Sequence, residues 1–253
     1  MNPVIVRNVR IGEGIPKICV PIVGQTVNEI LEEAKVLEHI PKDIVEWRAD
    51  WFEDVFEFEK VSAVLGELRD ILKETPLLFT FRTAEEGGEK EIREEDYLAL
   101  NKLAIESRNV DLIDVEIFSS TRVVESIIDY AHTNHVKVIA SNHDFEKTPD
   151  KEDIILRLQK MQDAGADILK IAVMPQSKKD ILTLLSATEE MVTNYAKQPV
   201  VTMSMSGIGL VSRLAGEIFG SAITFGAAKR TSAPGQIPAK ELQEIIGVLH
   251  QSL

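Results

Sequence analysis

Residues 136–174 read VKVIASNHDFEKTPDKEDIILRLQKMQDAGADILKIAVM. The two ends are short runs rich in Val and Ile, bounded by polar residues, as in buried strands, while the middle spaces its apolar residues three and four apart, as on one face of a helix. Strand, helix and strand in that order form a βαβ unit, and its two strands lie parallel in one sheet. The same alternation runs outward in both directions. Strand candidates begin at Lys17 (KICVPIVG), Ile44 (IVEWRAD), Pro76 (PLLFTFRT), Leu112 (LIDVEIF), Val136 (VKVIASNHD), Asp167 (DILKIAVM), Pro199 (PVVTMSMS) and Ala222 (AITFGAA). Amphipathic stretches such as TVNEILEEAKVLEHI and EFEKVSAVLGELRDILKE separate them, with helix starts expected at Thr26, Thr121 and Asp150. Eight units with no low-complexity linker predict an α/β fold of one domain over residues 1–253, a closed (β/α)8 TIM barrel. The alternative is an open doubly wound sheet, but no G-x-G-x-x-G follows the first strand. The N-terminal VIVRNVRIGEG, alternating and ending in a Gly-rich turn, is expected to form a β-hairpin closing the bottom of the barrel.

Composition sets limits on partners. The 253 residues are 44% hydrophobic and 27% charged, enough for a full core under a solvated surface. A formal net charge of -13 disfavours nucleic acid and anionic membrane surfaces, so an anionic ligand needs a few local cations. The start MNPVIVRNVRIGEG lacks the features of a signal peptide, and no later run has the apolar length of a membrane span, so the chain reads as cytoplasmic. Its single cysteine, Cys19, lies in an apolar run and reads as a buried small hydrophobe.

Side chains alternate along a strand, so one parity faces the helices and the other the barrel interior. The inward parity is charged. Glu46, Arg48 and Asp50 oppose Val45, Trp47 and Ala49; Thr80 and Arg82 oppose Phe79 and Phe81; Asp114 and Glu116 oppose Ile113, Val115 and Ile117. Ser141 and His143 share a parity on the fifth strand, as do Ile168, Lys170, Ala172 and Met174 on the sixth. Burying so many ions costs several kcal/mol each unless they are paired, which points to function rather than packing. They also sit toward the C-terminal strand ends, where barrels carry active sites.

Lys170 stands in an otherwise apolar strand. Nearby Arg48, Arg82 and His143 favour its neutral amine, which can attack a ketone; Glu46, Asp114 and Glu116 oppose that shift. His143 fits a general acid and base, with Glu86 and Asp114 as the two carboxylates that could orient it. The loop TAEEGGEKE, which holds Glu86, reads equally well as a solvated acidic turn. SMSGIGLVSRLAGEIFGS places a Gly-rich turn and Arg213 after the seventh strand, an anion site for either phosphate or carboxylate. Met203 and Met205 are expected to pack the inner wall with some contact to ligand. KRTSAPGQIP, with Ser232 and Gln236, is a connector or a lid. A metal-dependent barrel using Glu46, Asp50, Asp114, Glu116 and His143 is a competing reading, but no spaced His pair or His-x-His is present, and no metal is expected.

Six motifs in order then carry a resemblance: E-W-R-A-D, T-F-R-T with E-G-G-E, S-N-H-D-F, I-L-K-I-A, M-S-M-S-G-I-G with S-R, and F-G-A-A-K-R-T-S-A-P-G-Q. Together they resemble the type I 3-dehydroquinate dehydratase family over nearly the whole chain. The resemblance implies a hydro-lyase of the shikimate route to aromatic amino acids, without metal or other cofactor and usually homodimeric, that converts 3-dehydroquinate to 3-dehydroshikimate through a Schiff base. It implies Lys170 as the Schiff-base lysine, His143 as general acid and base, and Glu86 as the histidine's partner. Glu46, Arg48 and Arg82 match residues holding ring hydroxyls, Arg213 the carboxylate clamp, and Ser232 with Gln236 the closing loop. Pro21 departs from relatives that carry a hydroxyl there. Another class I Schiff-base barrel enzyme such as an aldolase is the alternative, and a non-catalytic binding protein is a third reading.

Overall fold

The computed structural model describes residues 2–228 and 232–253. All eight expected strands form: β3 (Lys17–Ile22), β4 (Ile44–Arg48), β5 (Leu77–Thr80), β6 (Leu112–Glu116), β7 (Lys137–Asp144), β8 (Ile168–Val173), β9 (Val200–Ser204) and β10 (Ile223–Phe225). Paired neighbours are parallel, in the order β10-β3-β4-β5-β6-β7-β8-β9. The remaining seam closes where Ala222 N–H donates to the Val200 carbonyl at 2.7 Å and Thr202 N–H to Ser221 Oγ at 3.0 Å. The sheet is therefore a ring, which excludes the doubly wound alternative.

Helices follow the strands: α1 (Val27–Val36), α2 (Phe58–Leu72), α3 (Glu94–Glu106), α4 (Thr121–Thr133), α5 (Lys151–Asp163) and α6 (Lys178–Asn194), then two short pieces, α7 (Leu210–Leu214) and α8 (Gly216–Phe219), and finally α9 (Ala239–His250). Of the expected caps, Thr26 Oγ1 accepts from Glu29 N–H at 3.3 Å. Asp150 occupies its cap position without a side-chain bond. Thr121 is already inside α4 and Ser120 is the cap residue, because the extended backbone ends one position earlier than expected. On α6, Ser177 and Asp180 form a capping box.

Two apolar layers follow from the alternation. Trp47, Phe79, Val115, Leu169 and Ile171 face outward against helix residues such as Ile30, Leu65 and Leu158. Ile44, Leu78, Leu112, Ile139, Ile168 and Ile223 face inward near the N-terminal strand ends. The expected hairpin, β1 (Val4–Val6) with β2 (Val9–Ile11), is antiparallel and adds Val6, Val9 and Ile11 to that inner layer. It plugs the bottom of the barrel, leaving the opposite end for chemistry. Among the described residues no helix is long and apolar enough to cross a membrane.

An aspartate precedes each of three alternate strands, β4, β6 and β8, at that lower end. Asp43, Asp111 and Asp167 accept backbone N–H bonds from Ile18, Leu77 and Val138 at 2.7, 2.9 and 2.9 Å. Asp111 also pairs with Arg7 and Arg69, each at 2.7 Å, tying the hairpin and α2 to the sheet. Asp111→Ala leaves the Leu77 N–H without its acceptor and takes a carboxylate partner from each arginine, so a loss of about 1–3 kcal/mol in urea unfolding is expected.

Candidate active site

At the C-terminal end of the strands, the inward parity converges on one pocket lined by Glu46, Arg48, Arg82, Glu86, His143, Lys170, Met203, Met205, Arg213, Ser232 and Gln236. Every site residue expected from the sequence is in it. Ala172, Phe225, Gly87, Phe145 and Ala233 complete the walls. The inward parity of Ala172 and Phe225 was readable from their strands, whereas Phe145 and Ala233 sit on loops that carry no such periodicity.

Lys170 is 4% exposed, and its Nζ donates to Asp114 Oδ2 at 3.0 Å while lying 4.8 Å from the centroid of the Phe225 ring. The cations expected to favour its neutral amine are engaged elsewhere. Arg48 makes a bidentate pair with Asp50, at 2.8 and 2.7 Å. Arg82 binds Asp114 Oδ1 at 2.7 Å, Glu116 Oε1 at 2.9 Å and Ser141 Oγ at 3.0 Å. Asp114 is thus the lysine's counterion. Burial alone would raise its pKa, but Arg82 and Lys170, with hydrogen bonds from Ser141 and Lys170, bring it down to about 2. Lys170 Nζ is therefore held in place by its nearest carboxylate.

Between the two carboxylates that could orient His143, the geometry selects Glu86. Glu86 Oε2 lies 2.9 Å from His143 Nδ1 and accepts the His143 backbone N–H at 2.9 Å, leaving Nε2 free to face the pocket. Burial, followed by the cations Arg82, Lys170 and Arg48, holds the imidazole well below its ordinary pKa, so it is neutral at neutral pH and can accept a proton. Burial also pushes Glu86 up, to about 8, against the pull of Arg82. The charge run around Glu86 is not a solvated turn at this position: the carboxylate is buried on a short 3-10 turn, Ala84–Glu86. Gly87 ends that turn at φ 82°, and a Cβ there would strike the Phe145 ring, so both the backbone and the space demand glycine.

The far wall carries Arg213. It is 2% exposed, and among the described residues its guanidinium reaches only the Pro234 carbonyl at 3.1 Å and Met203 Sδ at 3.5 Å, with Nε unpartnered. Burial without a nearby carboxylate lowers its pKa to about 10. Such a cation is stabilised when a ligand brings the missing anion. Glu46 accepts from Thr80 Oγ1 at 2.9 Å and keeps lone pairs for a hydroxyl. Ser232 and Gln236 bond each other, Ser232 N–H to Oε1 at 2.9 Å and Nε2 to Ser232 Oγ at 3.0 Å. Arg48 Nη1 ties this loop to β4 through the Ser232 carbonyl at 3.2 Å. Lys229, Arg230 and Thr231 of the same motif lie outside the described residues. Pro21 is buried on β3 beside Glu46 and offers no side-chain hydrogen bond.

The carboxylates of the competing metal reading, Glu46, Asp50, Asp114 and Glu116, are committed to arginine, lysine or threonine. Among the described residues no group of three or more His, Cys, Asp or Glu side chains is arranged to hold a metal ion.

The model of the type I 3-dehydroquinase family matches residues 18–253. The chain belongs to that family. It is 56% identical over 251 residues to the 3-dehydroquinate dehydratase of Listeria monocytogenes, covering 99% of each chain. The corresponding protein of Clostridium novyi is 53% identical over 253 residues, with 100% of both covered. Among solved structures, the type I 3-dehydroquinate dehydratase of Clostridium difficile superposes with a TM-score of 0.98 at 55% identity over 100% of both chains. As a member of the type I 3-dehydroquinase family, the chain shows which of the sequence signals were incomplete. Asn142, on the opposite parity to Ser141 and His143, was not among the expected site residues, yet its amide reaches Glu86 at 2.9 Å. A lone amide on an apolar outward parity is the signal that could have found it.

Proposed function

We propose that this site dehydrates 3-dehydroquinate to 3-dehydroshikimate through a Schiff base on Lys170, with loss of the proton and hydroxyl from the same face. The observation that carries the reading is one pocket holding a buried lysine, a neutral histidine fixed by the Glu86 carboxyl group, and an arginine with no counterion among the described residues. Family membership and the names of the relatives support the same substrate.

Arg213 takes the substrate carboxylate, while Glu46, Arg48 and Arg82 hold ring hydroxyls. Met203, Met205 and Phe225 exclude water around the ring. The Lys170 amine attacks the C3 ketone, and loss of water from the carbinolamine leaves an iminium. The iminium is a cation like the ammonium it replaces, so Asp114 remains a matched counterion. The iminium acidifies C2, and neutral His143 takes that proton, giving an enamine. The enamine expels the C1 hydroxyl, which leaves as water with the proton from His143. Because one imidazole serves both steps, base and acid act on one face. Hydrolysis of the conjugated iminium releases product and the amine.

The direct test is the absorbance rise of the conjugated enone when the protein meets 3-dehydroquinate; no rise contradicts the assignment, and cleavage of a carbon–carbon bond selects the aldolase alternative. His143→Ala removes the proton carrier but leaves the lysine, so kcat is expected to fall by about 10²–10⁴-fold in steady-state assays. We also propose that the chain works as a single-domain cytoplasmic homodimer, a reading supported by its family; sedimentation at micromolar concentration checks the dimer.

A further inference from the structure

Outside the barrel, α5 carries a side chain that reaches the acid–base pair through one intermediate. Arg157 Nη1 donates to Asn142 Oδ1 at 2.9 Å, and Asn142 Nδ2 donates to Glu86 Oε1 at 2.9 Å. Glu86 Oε2 then meets His143 Nδ1 at 2.9 Å. We infer that Arg157 is a positioning residue for the Glu86–His143 pair, acting by fixing the orientation of the Asn142 amide.

An arginine has five N–H donors and no acceptor, so the amide atom facing it must be oxygen. The other end of Asn142, facing Glu86, is then the NH2 group, and a donor at Glu86 favours the carboxylate over the acid. Water in place of Arg157 can donate or accept, and would let the amide turn to suit a protonated Glu86. Arg157 is itself held in place. Its Nη2 donates to Asp153 at 2.9 Å, Nη1 lies 3.6 Å from Asp144, and its guanidinium stands 5.6 Å from the centroid of the Phe118 ring. Its side chain is 20% exposed, and it touches none of the groups assigned to the substrate.

Other charges set the balance that Asn142 tips. Facing Glu86 are Arg82 from the loop after β5, Asp114 and Glu116 from β6, and His143 from β7. Facing His143 are Arg82, Lys170 from β8 and Arg48 from β4. Burial and the two β6 carboxylates push Glu86 toward the acid; Arg82 and the Asn142 hydrogen bond push back. Loss of the donor therefore lets the acid form of Glu86 persist to higher pH, where His143 lacks its anionic partner.

The inference rests on the roles proposed above for Glu86 and His143. In kcat/KM against pH, Arg157→Met is expected to move the acid limb up by about one pH unit, the tenfold equivalent of one charge-assisted hydrogen bond. Arg157→Lys, also donor-only, restores at least half of the shift. Asn142→Ala moves the limb in the same direction, and the double variant moves it no further than Asn142→Ala alone. An unmoved limb in folded Arg157→Met, or a double variant whose shifts add, overturns the inference. If Arg157→Met does not fold, Asn142→Ala decides: an unmoved limb there is equally fatal. Borohydride trapping of 3-dehydroquinate separates this inference from the function itself. Trapping at Lys170 in wild type and variant with unmoved limbs contradicts only the Arg157 role, whereas no trapping in wild type contradicts the proposed reaction.

Discussion

Lys170→Met is expected to lower kcat/KM for 3-dehydroquinate by on the order of 10⁴-fold or more, the scale seen when a covalent nucleophile is removed, while binding of the substrate carboxylate persists. The methionine keeps most of the lysine stem, so the contacts with Phe225 and Ala172 survive and the change is chemical rather than steric. No other described amine lines the pocket: its remaining cations are Arg48, Arg82, Arg213 and, when protonated, His143. Arginine is a poor nucleophile at neutral pH because its guanidinium keeps its proton. Asp114, relieved of the ammonium, still has Arg82 at 2.7 Å and Ser141 at 2.6 Å, so the variant is expected to fold. Stopped assays of product against protein concentration check this, with isothermal titration showing that ligand still binds. Residual turnover within about tenfold of wild type would place the covalent step elsewhere.

Arg82→Met is expected to be the most damaging single change to stability. Arg82 is 3% exposed and is the one side chain that touches Asp114, Glu116 and Glu86, at 2.7, 2.9 and 3.5 Å, together with Ser141 at 3.0 Å. Removing it leaves buried carboxylates with Lys170, Thr83 and hydrogen bonds from neutral groups as their remaining partners. Breaking a buried ion pair from one side typically costs about 3–5 kcal/mol, since the orphaned charge remains in a dry setting. Urea unfolding at neutral pH is the measurement, and a loss below about 1 kcal/mol would mean that the carboxylates are far better hydrated than their burial indicates. Acid should partly rescue the variant, because protonating the carboxylates removes the unpaired charge.

Much of this was legible because a strand has a period of two. Glu46, Arg48, Asp114, Glu116 and Lys170 face inward for the same reason that Trp47, Val115 and Ile171 face outward, and counting alternations needs no coordinates. Even Arg82 keeps its parity, although β5 ends at Thr80. Partner choice was not legible, because it depends on stagger between strands and on where each strand stops. Ser141 sits opposite Lys170 and Asp114 opposite Ile139, a register that brings the Asp114 carboxylate to the amine rather than to His143. Glu86 reaches His143 only because a short turn ending at Gly87 folds back over β7, and nothing periodic announces that. Asn142 faces outward by parity within β7 yet bonds Glu86 on the turn after β5, because parity sets where a side chain starts and not which polar partner a neighbouring loop brings to it.

The central claim is that the Lys170 amine, held by Asp114, forms the covalent bond to substrate. Borohydride reduction in the presence of 3-dehydroquinate, followed by digestion and peptide mass mapping, tests it directly. Loss of activity is expected together with one reduced adduct, on the peptide containing Lys170, and no adduct without substrate. An adduct on any other lysine, or inactivation with none, would contradict it.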